Sequence, residues 1–140
     1  MDYQKFIQYI NEQNAFGSSS GIVLKQCRPG FAEVELLPSE TSNSNIGFPH
    51  VHGGLLFTMA DSVAGAAAMT TGNVCVTLNS SISYLKSATR GLPVKAVARQ
   101  LHQGRSTGVY DVEITEGDVT IARGTVTMFM LNQKVEDLMK

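Results

Sequence analysis

One carboxylate stands alone in the longest apolar stretch of this sequence. Between Gly54 and Met69, Asp61 is the only residue that can ionise below neutral pH, and its neighbours are mostly Ala, Gly, Leu, Phe, Met and Val. Burial in such surroundings disfavours the charged form of a carboxylate, and ionisable residues kept there cluster at functional sites. Asp61 is therefore the first candidate for acid–base or nucleophilic chemistry. The alternative is a partly exposed helix residue without a chemical role.

Other residue types that often carry chemistry are present, but their spacing does not favour a site. His50 and His52 are two residues apart, a spacing at which two strand residues could bind one metal ion, yet no HExxH motif and no third metal ligand accompany them. Cys27 and Cys75 form no CxxC pair, which argues against a zinc site and a disulfide scaffold. Residues 17–21 match the GxSxG nucleophile pattern, but they follow a predicted helix and precede a strand, whereas that motif needs the reverse order. We interpret them as a flexible connector.

Composition and charge exclude several functional classes. The 140 residues suit one domain with one core, and the mean hydropathy is +0.00. The net charge of −1 does not favour binding to nucleic acid or anionic lipid. Residues 1–16 alternate polar and apolar types and contain no apolar core of signal-peptide length. A cytoplasmic protein is expected.

The elements around Asp61 are predicted from hydrophobic periodicity and turn residues. An apolar helix covers residues 53–71, and Gly72 and Asn73 end it because they tolerate left-handed backbone. An amphipathic helix is predicted over residues 2–15, with Asp2 as its cap. Strands are expected at residues 22–26, 31–36, 74–85, 93–103, 106–115 and 119–131. The remaining segments are a polar break at 17–21, a long loop at 38–49 and a charged tail at 132–140 that frays or forms one short helix.

The order of these elements predicts an α+β fold rather than alternating βα units. A run of antiparallel strands needs an apolar cover on one face, and a helix that is apolar nearly all round must be buried. The expected arrangement is therefore a curved antiparallel sheet wrapped around the helix at 53–71. Residues expected on the covered face are Val94, Ala96, Ala98 and Leu101 in one strand and Tyr110, Val112 and Ile114 in the next.

This arrangement and its motifs resemble the hotdog fold, and within it the phenylacetic-acid-pathway (PaaI-like) acyl-CoA thioesterases. That branch has an Asn, then His-Gly-Gly, then an Asp nine residues after the His. Here His52 is followed by Gly53 and Gly54, and Asp61 stands nine residues further on. A second match covers residues 104–114, close to the family's fourth strand. The resemblance spans about residues 30–131 and implies one thioesterase domain over residues 1–140.

The resemblance also implies a mechanism. The Gly53 N–H would bind the thioester oxygen, while Asp61 would attack the carbonyl or act as a base toward water, and Thr77 would help to place that water. Asp61 lies roughly 12 Å of helix rise from Gly53, too far to act on a carbonyl held by its own helix. The family solves this with a homodimer that shares its active sites, often paired again into a homotetramer. No cofactor is implied, since CoA is part of the substrate.

Further site residues follow from the same resemblance. Asn45 and His52 would support the carbonyl-binding end. The family Asn falls on Asn45, seven residues before His52, with Asn43 as the alternative. Substrate contacts are expected from Gly54, Lys86, Arg105 and Ser106. The assignment of Lys86, Arg90 and Arg105 to the phosphates of CoA comes from their charge alone.

Several alternatives stay open from the sequence. The fold also serves enoyl-thioester hydratases and dehydratases, and a module that binds acyl-CoA without catalysis needs no Asp61. The acyl group, whether alkyl or aryl, is not specified. Four methionines are candidates for an adaptable lining of an acyl tunnel or for core packing: Met59, Met69, Met128 and Met130.

Overall fold

The computed structural model describes residues 1–37, 44–45, 48–89 and 91–140, with the side chains of residues 44, 45 and 48–50 outside that description. Its helices are α1 (Tyr3–Gln13), α2 (Ala15–Ser19), α3 (Gly53–Met69) and α4 (Val135–Leu138). Its strands are β1 (Ile22–Arg28), β2 (Phe31–Leu36), β3 (Ser44–Asn45), β4 (Phe48–Val51), β5 (Asn73–Tyr84), β6 (Val94–Gln103), β7 (Thr107–Glu116) and β8 (Val119–Lys134).

Six strands form one antiparallel sheet in the order β1-β2-β6-β7-β8-β5, and α3 packs against all six. The α3 side chains Met59, Val63, Ala64 and Ala67 are fully buried. This confirms the predicted α+β fold, in which the sheet wraps around a central apolar helix.

Strict alternation explains the middle of the sheet. In β7, Tyr110, Val112 and Ile114 are fully buried, as predicted. In β6, Val94, Ala96 and Ala98 are buried, but Leu101 is 64% exposed. The register between β6 and β7 shifts between Gln100 and His102, so the alternation ends there and the prediction for Leu101 is wrong.

The structure differs from the sequence prediction after α1 and at the end of β8. Residues 17–19, interpreted as part of a flexible connector, belong to α2, because the Asn14 side chain accepts the Gly17 N–H at 3.1 Å and caps a short helix. Strand β8 continues to Lys134, and α4 follows it, so one short helix forms in the tail. Asp2 caps α1 as predicted by accepting the Lys5 N–H.

Most of the loop predicted at residues 38–49 lies outside the described residues, as do Asn43 and Arg90. Its described parts contain the two-stranded hairpin β3-β4, which the sequence did not predict. In the described part of the chain, no helix is long and apolar enough to cross a membrane.

Candidate active site

Asp61 is held by a hydroxyl from the neighbouring strand. Its side chain is half-buried on α3, and Thr77 Oγ1 on β5 donates a hydrogen bond of 2.6 Å to Asp61 Oδ1. A hydroxyl–carboxylate bond of this length belongs to the strong, charge-assisted class. It fixes the carboxylate through Oδ1, and the described residues give Oδ2 no hydrogen-bond partner, so Oδ2 is available to substrate or water.

The carboxylate opens onto a groove of about 810 Å³ that runs beside α3. Polar lining comes from Gln13, Asn14, Thr58, Asp61, Ser62 and Thr77, whereas Phe57, Gly65, Ala66, Met69, Met128 and Leu138 are among the apolar lining residues. Of the four candidate methionines, Met69 and Met128 line the groove, while Met59 is fully buried in the core. The groove is an apolar cleft with one carboxylate in its wall, which is the usual form of a small-molecule site.

Cys75 is the other reactive group in this groove. Its thiol lies 3.7 Å from the Gly65 carbonyl oxygen. Burial, with a smaller contribution from the charge of Asp61, raises the pKa of the Cys75 thiol to about 11. The thiol therefore stays protonated at neutral pH and is a poor nucleophile. Asp61 is the group in this groove suited to attack or to accept a proton.

The first turn of α3 forms a second polar centre. His52 is the N-cap, and its Nδ1 accepts the Gly54 N–H at 2.8 Å. The His52 carbonyl accepts the N–H groups of Leu55 and Leu56. Among the described residues, no acceptor lies within hydrogen-bonding range of the Gly53 N–H. The Gly53 N–H is thus the donor that the helix end offers to a ligand, whereas the Gly54 N–H is already hydrogen-bonded to His52.

Tyr84 is a residue that sequence reasoning missed. Its hydroxyl donates a hydrogen bond of 2.9 Å to the Gly53 carbonyl oxygen. A Cβ built on Gly53 would lie 3.5 Å from Tyr84 Cζ, so the ring packs directly against this glycine. The available signal was the position of Tyr84 at the end of the strand that also carries Thr77.

The predicted residues fall into two groups within one chain. Asp61 and Thr77 form one group, and His52, Gly53 and Gly54 form the other. Eight residues of α3, or roughly 12 Å of rise, separate Asp61 from Gly53. The structure of one chain therefore does not bring the carboxylate to the Gly53 N–H.

The predicted substrate contacts lie at both ends of the sheet. Lys86 is exposed just beyond β5, and its N–H donates to the Ile121 carbonyl near the Tyr84 end. Arg105 and Ser106 are exposed in the β6–β7 turn, where the Ser106 carbonyl accepts the Met130 N–H near the Thr77 end. Asn45 lies in β3, and its side chain is outside the described residues. No group of three His, Cys, Asp or Glu side chains that could hold a metal ion occurs in the described parts of the chain.

A six-stranded antiparallel sheet wrapped around one central apolar helix is the architecture of the hotdog fold. The sequence profile of the thioesterase superfamily matches residues 48–122, more than half of the chain, and the protein belongs to this superfamily. The predicted family and fold are therefore confirmed.

Relatives agree with this assignment along most of the chain. The chain is 33% identical over 118 residues to the acyl-coenzyme A thioesterase PaaI of Escherichia coli K12, covering 84% of this chain and 80% of that protein. The solved structure of the E. coli PaaI protein from the phenylacetic acid degradation operon superposes with a TM-score of 0.83 at 29% identity, covering 91% of each chain. A hypothetical thioesterase protein of Streptococcus pneumoniae TIGR4, solved with coenzyme A, has a TM-score of 0.73 at 34% identity, and the match covers 80% of this chain and 90% of that chain.

Proposed function

We propose that this protein hydrolyses acyl-CoA thioesters to a free acid and CoA, and that Asp61 is the catalytic carboxylate. The observation that carries the proposal is the Asp61–Thr77 hydrogen bond in the wall of an apolar groove, in a chain of the thioesterase superfamily. The direct test is release of the CoA thiol from a panel of acetyl-, medium-chain and phenylacetyl-CoA. Absence of release from every member would contradict the proposal.

Two routes use the same geometry. In the first, an Asp61 oxygen attacks the thioester carbonyl, the C–S bond breaks, CoA leaves as a thiolate that takes up a proton, and water then hydrolyses the resulting anhydride. In the second, Asp61 takes a proton from a water that attacks the carbonyl, and CoA leaves in the same way. Thr77 orients Asp61 in both routes. The negative charge that develops on the carbonyl oxygen needs a donor, which we assign to the Gly53 N–H.

We propose that the active site is shared by two chains, since one chain keeps Asp61 away from its own Gly53. The edge strand β5 supports this dimer. It ends the sheet with twelve residues, and its side chains Val76 and Leu78 are 50% and 62% exposed. A long edge strand with exposed apolar side chains is a template for pairing with another strand.

The contacts of β5 suggest the register of that pairing. Thr77 touches Asp61, and Tyr84 touches Gly53. An antiparallel pair of β5 strands related by a two-fold axis near Ser80 and Ser81 would set Thr77 opposite the partner subunit's Tyr84. This register would bring Asp61 toward the partner subunit's Gly53. It would also place the buried, unpaired Ser80 hydroxyl beside the symmetry axis.

The same two-fold axis would bring the two sets of exposed cations together. Arg105 and Ser106 lie at the Thr77 end of the sheet and Lys86 at the Tyr84 end, so the Arg105 of one chain would face the partner subunit's Lys86. We assign Arg105 and Lys86 to the phosphates of CoA and Ser106 to another substrate contact. His52 supports the carbonyl-binding end as the cap of α3, and Asn45 is assigned to that end from the family motif.

Mixing two inactive variants tests the shared site. In a dimer of one Asp61→Asn chain and one Gly53→Pro chain, one site combines both lesions and the other keeps an intact Asp61 and an intact Gly53. Random association makes half of the dimers mixed, so roughly one quarter of wild-type activity should return. The measurement is thiol release after co-refolding equal amounts of the two variants. If activity stays at the level of the separate variants, each site lies within one chain.

We also propose that two dimers pair into a tetramer. Val76 and Phe129 pair on the outer surface of the sheet and are both exposed, which supports packing of two dimers face to face.

Residues 1–140 are proposed as one domain, since Phe6 of α1 and Val135 of α4 join the common core. The free thiols Cys27 and Cys75 suit a reducing, cytoplasmic location. The proposed chemistry uses no cofactor.

We propose that the acyl group lies along the groove from Asp61 toward Met69. Eight residues of α3, roughly 12 Å, separate these two side chains, and the floor between them contains the small residues Gly65 and Ala66. This length suits a medium-chain acyl group or an arylacetyl group. An arylacetyl substrate would give the protein a role in phenylacetate catabolism.

Replacing Gly65 with leucine tests this assignment. Gly65 lies one helical turn beyond Asp61, and a Cβ there would meet only Met128 Cε, at 3.7 Å, within 4 Å. The leucine side chain should fill the groove, lowering kcat/KM for phenylacetyl-CoA about tenfold or more relative to acetyl-CoA. The smaller Gly65→Ala variant is the graded control. Equal losses for both substrates in kinetic assays would instead place the CoA arm at Gly65.

A further inference from the structure

The first turn of α3 is a weak helix end that must nevertheless hold a donor in place. It begins with two glycines, and glycine is a poor helix former because it loses the most backbone freedom on folding. The first N–H groups of a helix also have no partner within the helix. A helix end of this composition frays unless other groups stabilise it by hydrogen bonds or packing. An oxyanion donor that frays is not preorganised, and preorganisation is the source of its catalytic effect.

Two hydrogen bonds from outside the regular helix pattern hold one peptide group at this helix end. The peptide between Gly53 and Gly54 donates its N–H to His52 Nδ1 at 2.8 Å and accepts the Tyr84 hydroxyl on its oxygen at 2.9 Å. The regular helix pattern already pairs the Gly53 carbonyl with the Phe57 N–H. The Tyr84 hydroxyl therefore fills the second lone pair of that oxygen and is not required merely to satisfy it. The bond is an additional constraint at the residue that presents the donor.

The ring of Tyr84 restrains the same glycine from a second direction. Its carbon atoms lie 3.5 to 3.8 Å from the position of a Cβ on Gly53. Packing alone would be served equally well by phenylalanine, and Tyr84 is 50% exposed in the single chain, so burial within the chain does not account for the hydroxyl. What the hydroxyl adds is a directional bond to the Gly53 backbone.

We infer that Tyr84 is a positioning residue for catalysis: its hydroxyl fixes the Gly53 backbone so that the Gly53 N–H points at the thioester oxygen. This inference rests on the proposed role of Gly53 as the oxyanion donor. It also gives β5 a double function, since Thr77 near one end of the strand orients the carboxylate and Tyr84 at the other end orients the donor. A single strand thereby sets both halves of the site.

The test begins with Tyr84→Phe, which removes the hydroxyl and keeps the ring. Because negative charge on the thioester oxygen is absent in the bound substrate and develops in the transition state, kcat should fall about 3- to 10-fold, while KM changes less than about twofold. Tyr9→Phe on α1 is the matched control and should leave both constants unchanged. Thermal unfolding of both variants should remain close to that of the wild type. A normal kcat for Tyr84→Phe would overturn the inference.

A double variant separates positioning from a general structural effect. If Tyr84 acts through the Gly53 N–H, adding Tyr84→Phe to Gly53→Pro should lower kcat no further, since the donor is already gone. A further 3- to 10-fold loss in the double variant would show that Tyr84 acts by another route and would overturn the inference. The proposed role of Gly53 fails separately, if Gly53→Pro alone retains wild-type kcat, and acyl-CoA hydrolysis itself fails only if the wild type releases no thiol from any member of the panel.

Discussion

Replacing Asp61 with asparagine is expected to lower kcat for acyl-CoA hydrolysis about 10²- to 10⁴-fold, the range typical for loss of a positioned base. Asparagine keeps an oxygen where Asp61 Oδ1 accepts the Thr77 hydroxyl. The groove and the fold should therefore survive, but the side chain can neither attack the carbonyl nor accept a proton from water. The measurements are kcat from thiol release and the dissociation constant of CoA, which should stay close to the wild-type value.

A matched carboxylate distinguishes this effect from a loss of charge in general. Asp118 is exposed in the β7–β8 turn, away from the groove, and Asp118→Asn should keep wild-type kcat. Thermal unfolding of both variants checks that the fold is intact. Unchanged turnover by Asp61→Asn would remove Asp61 from the mechanism, whereas equal losses in both variants would point to an electrostatic effect of the whole surface.

Periodicity made the central elements predictable. The helix at residues 53–71 is predictable because a helix that is apolar nearly all round is stable only when most of it is covered, and α3 buries eight residues. β7 was recognised because alternation runs without interruption from Gly108 to Glu116. In both elements the local pattern and the tertiary packing require the same residues inside.

A β-bulge in β5 explains why strict alternation along the strand does not predict which face Tyr84 occupies. Strict alternation places Thr77 and Tyr84 on opposite faces of β5, since seven positions separate them. The register with β8 shifts between Thr77 and Asn79, leaving Leu78 as an extra residue. Both Thr77 and Tyr84 then face α3. Pairing with a strand some fifty residues away decides this shift, so the sequence of β5 alone does not reveal Tyr84 as a partner of Gly53.

The candidate site was predictable for a different reason. Asp61 stands out by its chemical isolation, and the nine-residue spacing from His52 identifies the family. The rise of a helix then shows from the sequence that Asp61 and Gly53 lie apart in one chain. The contacts of the helix end were not predictable in the same way, because they involve an imidazole that turns back on Gly54 and a hydroxyl from β5.

Replacing Gly53 with proline is expected to lower kcat about 10²- to 10³-fold, the usual effect of removing one oxyanion donor. Proline has no N–H, and Gly53 is the first residue of α3, the helix position where proline is favoured. The residue before a proline must be extended, and His52 already has φ −63° and ψ 135°. The proline Cβ would meet the Tyr84 ring at an ordinary contact distance. The substitution therefore deletes the donor while the helix start is retained.

Gly53→Ala is the control that makes this result interpretable. It adds a Cβ at the same place and stiffens the same backbone, but it keeps the N–H, so kcat should stay within a few-fold of the wild type. Thermal unfolding should show both variants at least as stable as the wild type, since each restricts the unfolded chain. If proline and alanine give the same kcat, the Gly53 N–H does not bind the oxyanion. The Gly54 N–H would then be the next candidate, because His52 could release it by turning its ring away.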